Sequence, residues 1–588
     1  MTPGTLPLQR GRRATGTWLR GSDSGLLAVA LAVGVGAGLG AVVFRWLIEV
    51  FTRILSGHSD YSVAGHAAHP LLPALGMWFV VASPVVAGLL YGPLVYFFAR
   101  EARGHGVPEV MYAVSQRGGR IAPNVAVVKA LASALCIGGG GSVGREGPIV
   151  QIGSALGSTL GSLIRFNEER MRVVVACGAA GGIAATFNAP LAGVFFAMEL
   201  ILSDFAARSF GMVVVSSVTA SVLGRAVFGN RPFLHLPAFQ VVHLWEYLPF
   251  AVLGLLAGGT GVLFTRVLYA VEDGCDALWR GPEWARPAVG GVALGLVLLA
   301  VPQMYGVGYP VLGRGVTGEY TIGFLLVLLV AKMFATSLTI GIGGSGGVFA
   351  PSLFVGAMLG AAYGQGLQHV VPGLAGQAGA FGLIGMGAVF AGAARAPITA
   401  VVIMFELTNE YSIILPLMVA IVLATGASNL LTNDTIYTLK LRRRGIDLSR
   451  PASTSLRALS TRVSTVMDEV PEPLPDTMRL LEAAERLRSV PDATLPVVDD
   501  QGSYRGVVTG RAVAEVLTGE HGEDNAVSAA TDNFPSVRAA QTLEECIEIA
   551  DRAGTAVVPV LDDDGTQLIG WLTASRLLGA IRPPPPGQ

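Results

Sequence analysis

A twenty-residue pattern that occurs twice limits what this chain can fold into. The first copy, Lys129 to Pro148, reads KALASALCIGGGGSVGREGP, and the second, Lys332 to Pro351, reads KMFATSLTIGIGGSGGVFAP. They align without a gap and match at ten of twenty positions. Glycine matches are cheap in a chain with 77 glycines, but Lys129/Lys332, Ser142/Ser345 and Pro148/Pro351 also stay in register. A second pair follows: Gly178 to Leu200 ends in NAPLAGVFFAMEL, and Gly385 to Leu407 ends in RAPITAVVIMFEL. This sets Pro190 against Pro397 and Glu199 against Glu406. Interrupted apolar segments at corresponding places in two halves point to the substrate site of a transporter. Small-residue helix packing is the bland alternative.

Each first-pair copy is an apolar helical run, a glycine stop, and a proline heading another apolar run. Glycine lets bare backbone approach a ligand, and proline suits the first turn of a helix. A helix that starts there aims free N–H groups and a positive dipole end at the gap, which makes an anion site needing no metal or cofactor. Arg145 and Glu146 lie inside this otherwise apolar stretch. A charge at membrane depth costs about 2.5–3.5 kcal/mol on insertion scales, so the pair marks a functional site. A buried Arg145–Glu146 ion pair is the structural alternative.

The 588 residues are 52% hydrophobic and 14% charged, with a mean hydropathy of +0.58. That is a polytopic membrane protein. The net charge of −1 offers nothing to nucleic acid. Cys136, Cys177, Cys275 and Cys546 lack metal-ligand spacing, so neither a metal site nor a disulfide framework is expected. The first apolar run is too long for a cleavable signal.

Residues 1–22 are basic, with Arg10, Arg12, Arg13 and Arg20, which predicts a cytoplasmic N-terminal segment. Trp18 and Leu19 suit a short interfacial helix, and a disordered tail to about residue 15 is the alternative. Residues 23–232 form the first membrane half, with runs Leu26–Leu55, Leu71–Phe98, 129–164, Val173–Leu202 and Phe210–Phe228. Residues 233–445 form the second, with runs Leu248–Val271, Ala288–Val301, Ile322–Ile340, Ser352–Leu367, Phe381–Phe390, Pro397–Leu407 and Ile413–Leu431. Several are too short to span alone, and broken helices are tolerated only inside protein or along a cavity. A short helix carrying Tyr437 closes this half, capped by Asn433 or Asp434 and ended by Gly445. Arg442, Arg443 and Arg444 place that end in the cytoplasm.

Residues 446–462 read as a linker and 583–588 as a tail. Between them a small α/β module occurs twice, over 463–520 and 524–582. In each, two β runs flank an Asp/Gly turn, in LPVVDDQGSYRGVVT and AVVPVLDDDGTQLIGWLT.

GREGP, GGVFAP, FNAPLAGVFFAMEL and the late Tyr437 together resemble the CLC family of chloride channels and proton-coupled chloride transporters, over roughly residues 24–441. Residues 463–582 resemble a pair of CBS domains. The resemblance implies an all-α inverted repeat with a cytoplasmic CBS pair. It also implies a homodimer with one anion path per subunit, in a bacterial inner or plasma membrane. Glu146 would be the gating glutamate, competing with anion for the outer site and leaving when protonated. Amides from Arg145 to Gly147 would line that outer site. Those of Val348 and Phe349 would hold a central anion, with the Tyr437 hydroxyl. The Gly104–Pro108 turn, with His105 and Gly106, would supply the inner contact. Burial disfavours the charged carboxylate and helix dipoles favour it; if desolvation dominates, acid opens the path.

Two departures bear on function. The family's Gly-Ser-Gly-X-Pro is here Gly104-His105-Gly106-Val107-Pro108, so an imidazole replaces a hydroxyl donor. His105 would then be either a pH-sensitive inner contact or a ring facing cytoplasmic water. The family's exchangers end the Ala-Pro segment in two glutamates, the second an inner proton relay. Here the segment ends Met198-Glu199-Leu200, so that relay position is lost at Leu200. Passive, gated chloride conduction is the favoured reading, and proton-coupled antiport is the alternative. A CBS-regulated cation transporter would need more acidic residues at depth than Glu146, Glu199 and Glu406. An intramembrane enzyme would need a His cluster or a Ser/His pair. The CBS tetrads Thr509-Gly510-Arg511-Ala512 and Thr573-Ala574-Ser575-Arg576 lack the ribose-binding Asp, so a nucleotide cofactor is not expected.

Overall fold

The structure is a computed structural model that describes residues 18–229, 245, 247–370, 378–408, 410–446, 461–490, 493–518, 525–553 and 557–581. Arg10, Arg12, Arg13, the boundary between the halves at 232/233, most of the linker and the 583–588 tail lie outside those residues. The chain forms two compact units that divide between Ser449 and Arg450.

Among the described residues, the secondary structure of the first unit is helical, as its apolar runs require. Eight helices run through the first half: Asp23–Ser56, Phe79–Phe98, Val107–Gln116, Asn124–Gly138, Glu146–Ile164, Glu168–Phe187, Pro190–Phe196 with its π-helical extension Ala197–Leu202, and Ala207–Phe228. Eight follow in matching order: Tyr247–Leu278, Arg286–Ala300, Tyr309–Val316, Ile322–Gly341, Phe349–Val370, Ala378–Ala394, Pro397–Thr408 and Ile414–Leu431. Seven helical segments among the described residues are long and apolar enough to cross a membrane.

The duplication extends to backbone detail. A Cβ on Gly178 would lie 2.0 Å from the Gly153 carbonyl, and one on Gly385 would lie 2.3 Å from the Gly356 carbonyl. Both helix crossings therefore bring bare backbones into contact, a geometry only glycine permits.

Three expected spans change. Val173–Leu202 is not continuous. Asn188 turns left-handed at φ 59°, and Pro190, which lacks an N–H, heads a new helix. Arg395, at φ 53°, does the same before Pro397. Leu71–Phe98 begins as a 3-10 turn over Pro73–Trp78. The helix expected from Ser352 starts at Phe349, which places the Phe349 and Ala350 amides in its donor-rich first turn. Thr435, rather than Asn433 or Asp434, caps the closing helix, its Oγ1 accepting from the amides of Tyr437 at 3.2 Å and Thr438 at 3.0 Å.

The second unit holds the two α/β copies. Thr494–Val498 pairs antiparallel with Tyr504–Thr509, and Val557–Leu561 with Leu568–Thr573, each across the expected Asp/Gly turn. The copies exchange leading segments. Val463 packs in the second copy's core and its amide donates to the Gln541 carbonyl at 2.9 Å. Val527 packs in the first copy's core and its amide donates to the Met478 carbonyl at 2.8 Å. Neither copy completes its core from its own sequence range, because each lends its first turn to the other.

Candidate functional site where the two repeats meet

The glycine loops of the two copies meet directly. The Gly144 amide donates to the Gly347 carbonyl at 2.7 Å, and the Gly347 amide donates back to the Gly144 carbonyl at 2.6 Å. The helices headed by Glu146 and Phe349 therefore start from one shared point. The Gly104–Pro108 turn joins them. The Gly104 amide donates to the Gly344 carbonyl at 3.1 Å, and the Gly346 amide to the Gly104 carbonyl at 3.3 Å. A Cβ on Gly147 would sit 2.0 Å from the His105 carbonyl, and one on Gly106 would sit 2.7 Å from the Gly147 carbonyl. Gly106, at φ 83°, reaches this contact by a conformation that favours glycine.

Glu146 lies at this junction, 1% exposed. Its Oε1 accepts from the Tyr309 hydroxyl. Its Oε2 accepts from the Ala350 amide at 3.4 Å, in the first turn of the opposite repeat's helix. Glu146 has no ion pair within 4.0 Å among the described residues, so the buried Arg145–Glu146 bridge is not what holds it. The Arg145 guanidinium instead lies 5.1 Å over the Tyr309 ring, and its Nε is buried without a partner.

The junction is not symmetric in chemistry. The repeat alignment sets Phe349 where the first copy has Glu146. The Phe349 ring packs among Phe187, Phe196 and Phe390 at centroid distances of 5.6, 6.4 and 4.4 Å. One repeat thus offers a carboxylate to the junction and the other an apolar ring. Val348 is buried beside it.

On the other side of the junction, His105 is 1% exposed, and neither ring nitrogen has a hydrogen-bond partner. A ring facing water is excluded by that burial. Gln151 Oε1, which a Cβ on Gly106 would approach to 3.0 Å, is also unpartnered. Unsatisfied buried polar groups are rare, and each calls for a water, an ion or a functional reason. Tyr269 stands 6.2 Å from the His105 ring, and its hydroxyl donates to the Ile436 carbonyl at 2.7 Å. That bond and the one from the Ile436 amide to the Ala393 carbonyl at 2.9 Å anchor the segment carrying Tyr437. Tyr437 is 1% exposed. Leu200 lies elsewhere, buried in the π-helical segment that packs on the Val107–Gln116 helix.

Two lysines fix the turns. Lys129 Nζ donates to the carbonyls of Ala102 at 2.9 Å and Gly104 at 2.7 Å. Lys332 Nζ donates to those of Gly306 at 3.2 Å and Val307 at 3.0 Å, and to Ser142 Oγ at 2.9 Å. The paired glutamates act reciprocally. Glu199 accepts from the amides of Ile398 and Thr399 at 3.1 and 2.8 Å, and Glu406 from those of Leu191 and Ala192 at 3.0 and 2.7 Å. Each carboxylate caps the N-terminus that the other repeat's proline begins.

The family model for the voltage gated chloride channel matches residues 87–429. This chain belongs to that family. CBS domain matches cover 463–519 and 526–583. A putative chloride channel protein ClcB-like of Ralstonia nicotianae is 33% identical over 434 residues, covering 73% of this chain and 100% of the relative. An H(+)/Cl(-) exchange transporter ClcA of Vibrio campbellii is 36% identical over 360 residues, covering 60% of this chain and 76% of the relative. The crystal structure of a slow cyanobacterial Cl-/H+ antiporter matches with TM-score 0.63 at 26% identity, covering 72% of this chain and 98% of that one. The crystal structure of a eukaryotic CLC transporter shares the fold over 94% of this chain and 97% of its own, with TM-score 0.60 at 20% identity. The CLC fold with a small α/β CBS region, expected from the motifs, is thus the fold of this protein.

Reasoning from sequence missed Tyr309. The signal was present: Gly306-Val307-Gly308-Tyr309-Pro310 repeats Gly104-His105-Gly106-Val107-Pro108 in the second half. Both turns carry paired left-handed glycines, at φ 76° and 83° for Gly104 and Gly106, and at 67° and 88° for Gly306 and Gly308.

Proposed function

We propose that this protein conducts chloride passively across the membrane under the control of Glu146. The observation that carries this reading is a carboxylate seated where two opposed helix starts meet, held by an amide and a phenol. A site that accommodates a carboxylate there suits a monovalent anion of similar demand. Amides and hydroxyls supply partial positive charge, which binds a halide yet lets it leave. Protonation neutralises Glu146, weakens its hold on the site and yields it to chloride. Amides around Arg145, Gly147, Val348 and Phe349, with the Tyr437 hydroxyl, line the path. The CBS pair serves as a dimerisation or coupling platform without bound nucleotide, and its side of the chain lies in the cytoplasm. The working unit is a homodimer in a bacterial plasma membrane.

Leu200 supports the passive reading, because an apolar side chain passes no proton. Proton-coupled exchange is the second reading, favoured by relatives of 34–36% identity that are named exchange transporters. Liposomes carrying a chloride gradient discriminate between them. The expected result is chloride flux with no uphill proton movement; sustained proton pumping would establish exchange and end the passive reading.

His105 belongs to the same path as an inner contact. A neutral imidazole donates from one nitrogen, and an imidazolium donates from both with full charge. His105→Ser should lower the response of flux to inner-side acid by about two- to tenfold, since one charge-assisted bond is exchanged for a neutral one. It should also change the chloride-to-nitrate ratio. Unaltered pH response and selectivity in this variant would remove His105 from the path.

A further inference from the structure

We propose that Tyr309 is a positioning residue that latches Glu146 in the closed state, so that the phenol sets the pH at which the path opens. The proposal rests on the gating role given to Glu146 above. Its ground is geometric. The Tyr309 hydroxyl donates to Glu146 Oε1 across the repeat boundary. Tyr309 starts the Tyr309–Val316 helix directly after Gly308, whose φ of 88° turns the chain into the junction. Lys332 holds that turn through the Gly306 and Val307 carbonyls. Arg145 covers the phenol ring at 5.1 Å. Tyr309 also lines a cavity of about 180 Å³ together with Arg45, Glu49, Asp60, Arg145 and Tyr305, so the latch faces a polar vestibule.

The charged and titratable groups that face Glu146 are few. Arg145 comes from its own helix start, Tyr309 from the helix beside it, Lys332 from the Ile322–Gly341 helix and Tyr437 from the segment after Ile436. The Phe349–Val370 helix contributes only the Ala350 amide. Of the side chains, Tyr309 is the one bonded to the carboxylate among the described residues. A phenol holds an ionised carboxylate by a charge-assisted bond and a neutral acid by an ordinary one. The latch therefore tightens when Glu146 is ionised and slackens when a proton arrives. The repeat partner of Tyr309 is Val107, and that of Glu146 is Phe349. Only one end of the junction carries the polar latch.

Tyr309→Phe keeps the ring, and so the cover for Arg145, while deleting the donor. Chloride efflux from liposomes, measured from about pH 4.5 to 8, reads the effect. The expected result is efflux raised about tenfold near pH 7.5, the value of one charge-assisted hydrogen bond, with little change at the acid end. In a Glu146→Gln background the same substitution should change nothing. A Tyr309→Phe curve that superimposes on the wild type overturns the latch. So does an equal rise in the Glu146→Gln background, which would mean that the ring merely narrows the path. A Glu146→Gln variant that retains the wild-type pH response instead overturns the gating role itself. Should the Phe variant not reconstitute, Tyr309→Leu is read by the same criteria.

Discussion

Glu146→Gln is expected to give anion flux that no longer varies with pH and stays near the acid maximum of the wild type. Glutamine matches the shape of glutamate but carries no charge at any pH. The wild-type carboxylate is held by the Tyr309 hydroxyl and the Ala350 amide, beside the Phe349 ring cluster. Hydrogen bonds to a charged group are worth about 1.5–3 kcal/mol each, so losing the charge shifts occupancy of the site by one to two orders of magnitude. The neutral amide then competes weakly with chloride. In liposomes the wild type should rise steeply on acidification while the variant stays flat and high. A variant that remains closed near neutral pH, or that still responds to acid, removes Glu146 from the gate.

Much of this site was legible in the sequence because duplication writes itself in residue identities. Ser142/Ser345, Pro148/Pro351 and Glu199/Glu406 pointed to two equivalent units, and the reciprocal bonds of Gly144 with Gly347 and of Glu199 with the Pro397 helix are that equivalence in space. The positions of the glycine stops followed from backbone chemistry alone. What stayed hidden depends on which side chain crosses between halves. Spacing tells that Tyr309 follows a Gly-X-Gly turn, but not that its hydroxyl reaches a residue 163 positions earlier. His105 could be placed on its turn but not classed as buried, because its ring lies against Tyr269, on a helix of the other half. The break at Asn188 was missed for a related reason. The surrounding residues are apolar and helix-compatible, and only the Asn-Ala-Pro order marks the stop. The exchanged first turns of the CBS pair leave no local mark, since each copy's hydrophobic pattern looks complete by itself.

The two buried lysines give the other large effect, and they divide the junction into separable halves. Both are fully buried, and each donates to carbonyls at one Gly-X-Gly turn. Methionine fills the same volume but donates nothing. Lys129→Met removes the charged donor from the Ala102 and Gly104 carbonyls, which keep Ser345 Oγ at 2.7 Å and the Gly346 amide at 3.3 Å, and each lost hydrogen bond to a charged group costs about 1.5–3 kcal/mol. Lys332→Met affects three acceptors, the carbonyls of Gly306 and Val307 and the hydroxyl of Ser142. Thermal unfolding in detergent should therefore show both variants destabilised, by roughly 2–5 kcal/mol, with Lys332→Met the worse. The functional consequences should split by side. Lys332 holds the turn that carries Tyr309, so its loss should open the path at higher pH, as Tyr309→Phe does. Lys129 holds the turn that carries His105, so its loss should disturb anion discrimination while the dependence on outer pH survives. If both variants move the same pH curve by the same amount, the lysines act only as bulk packing. In that case the two turns would not be independent parts of the path, and the asymmetry between Glu146 and Phe349 would have to arise elsewhere.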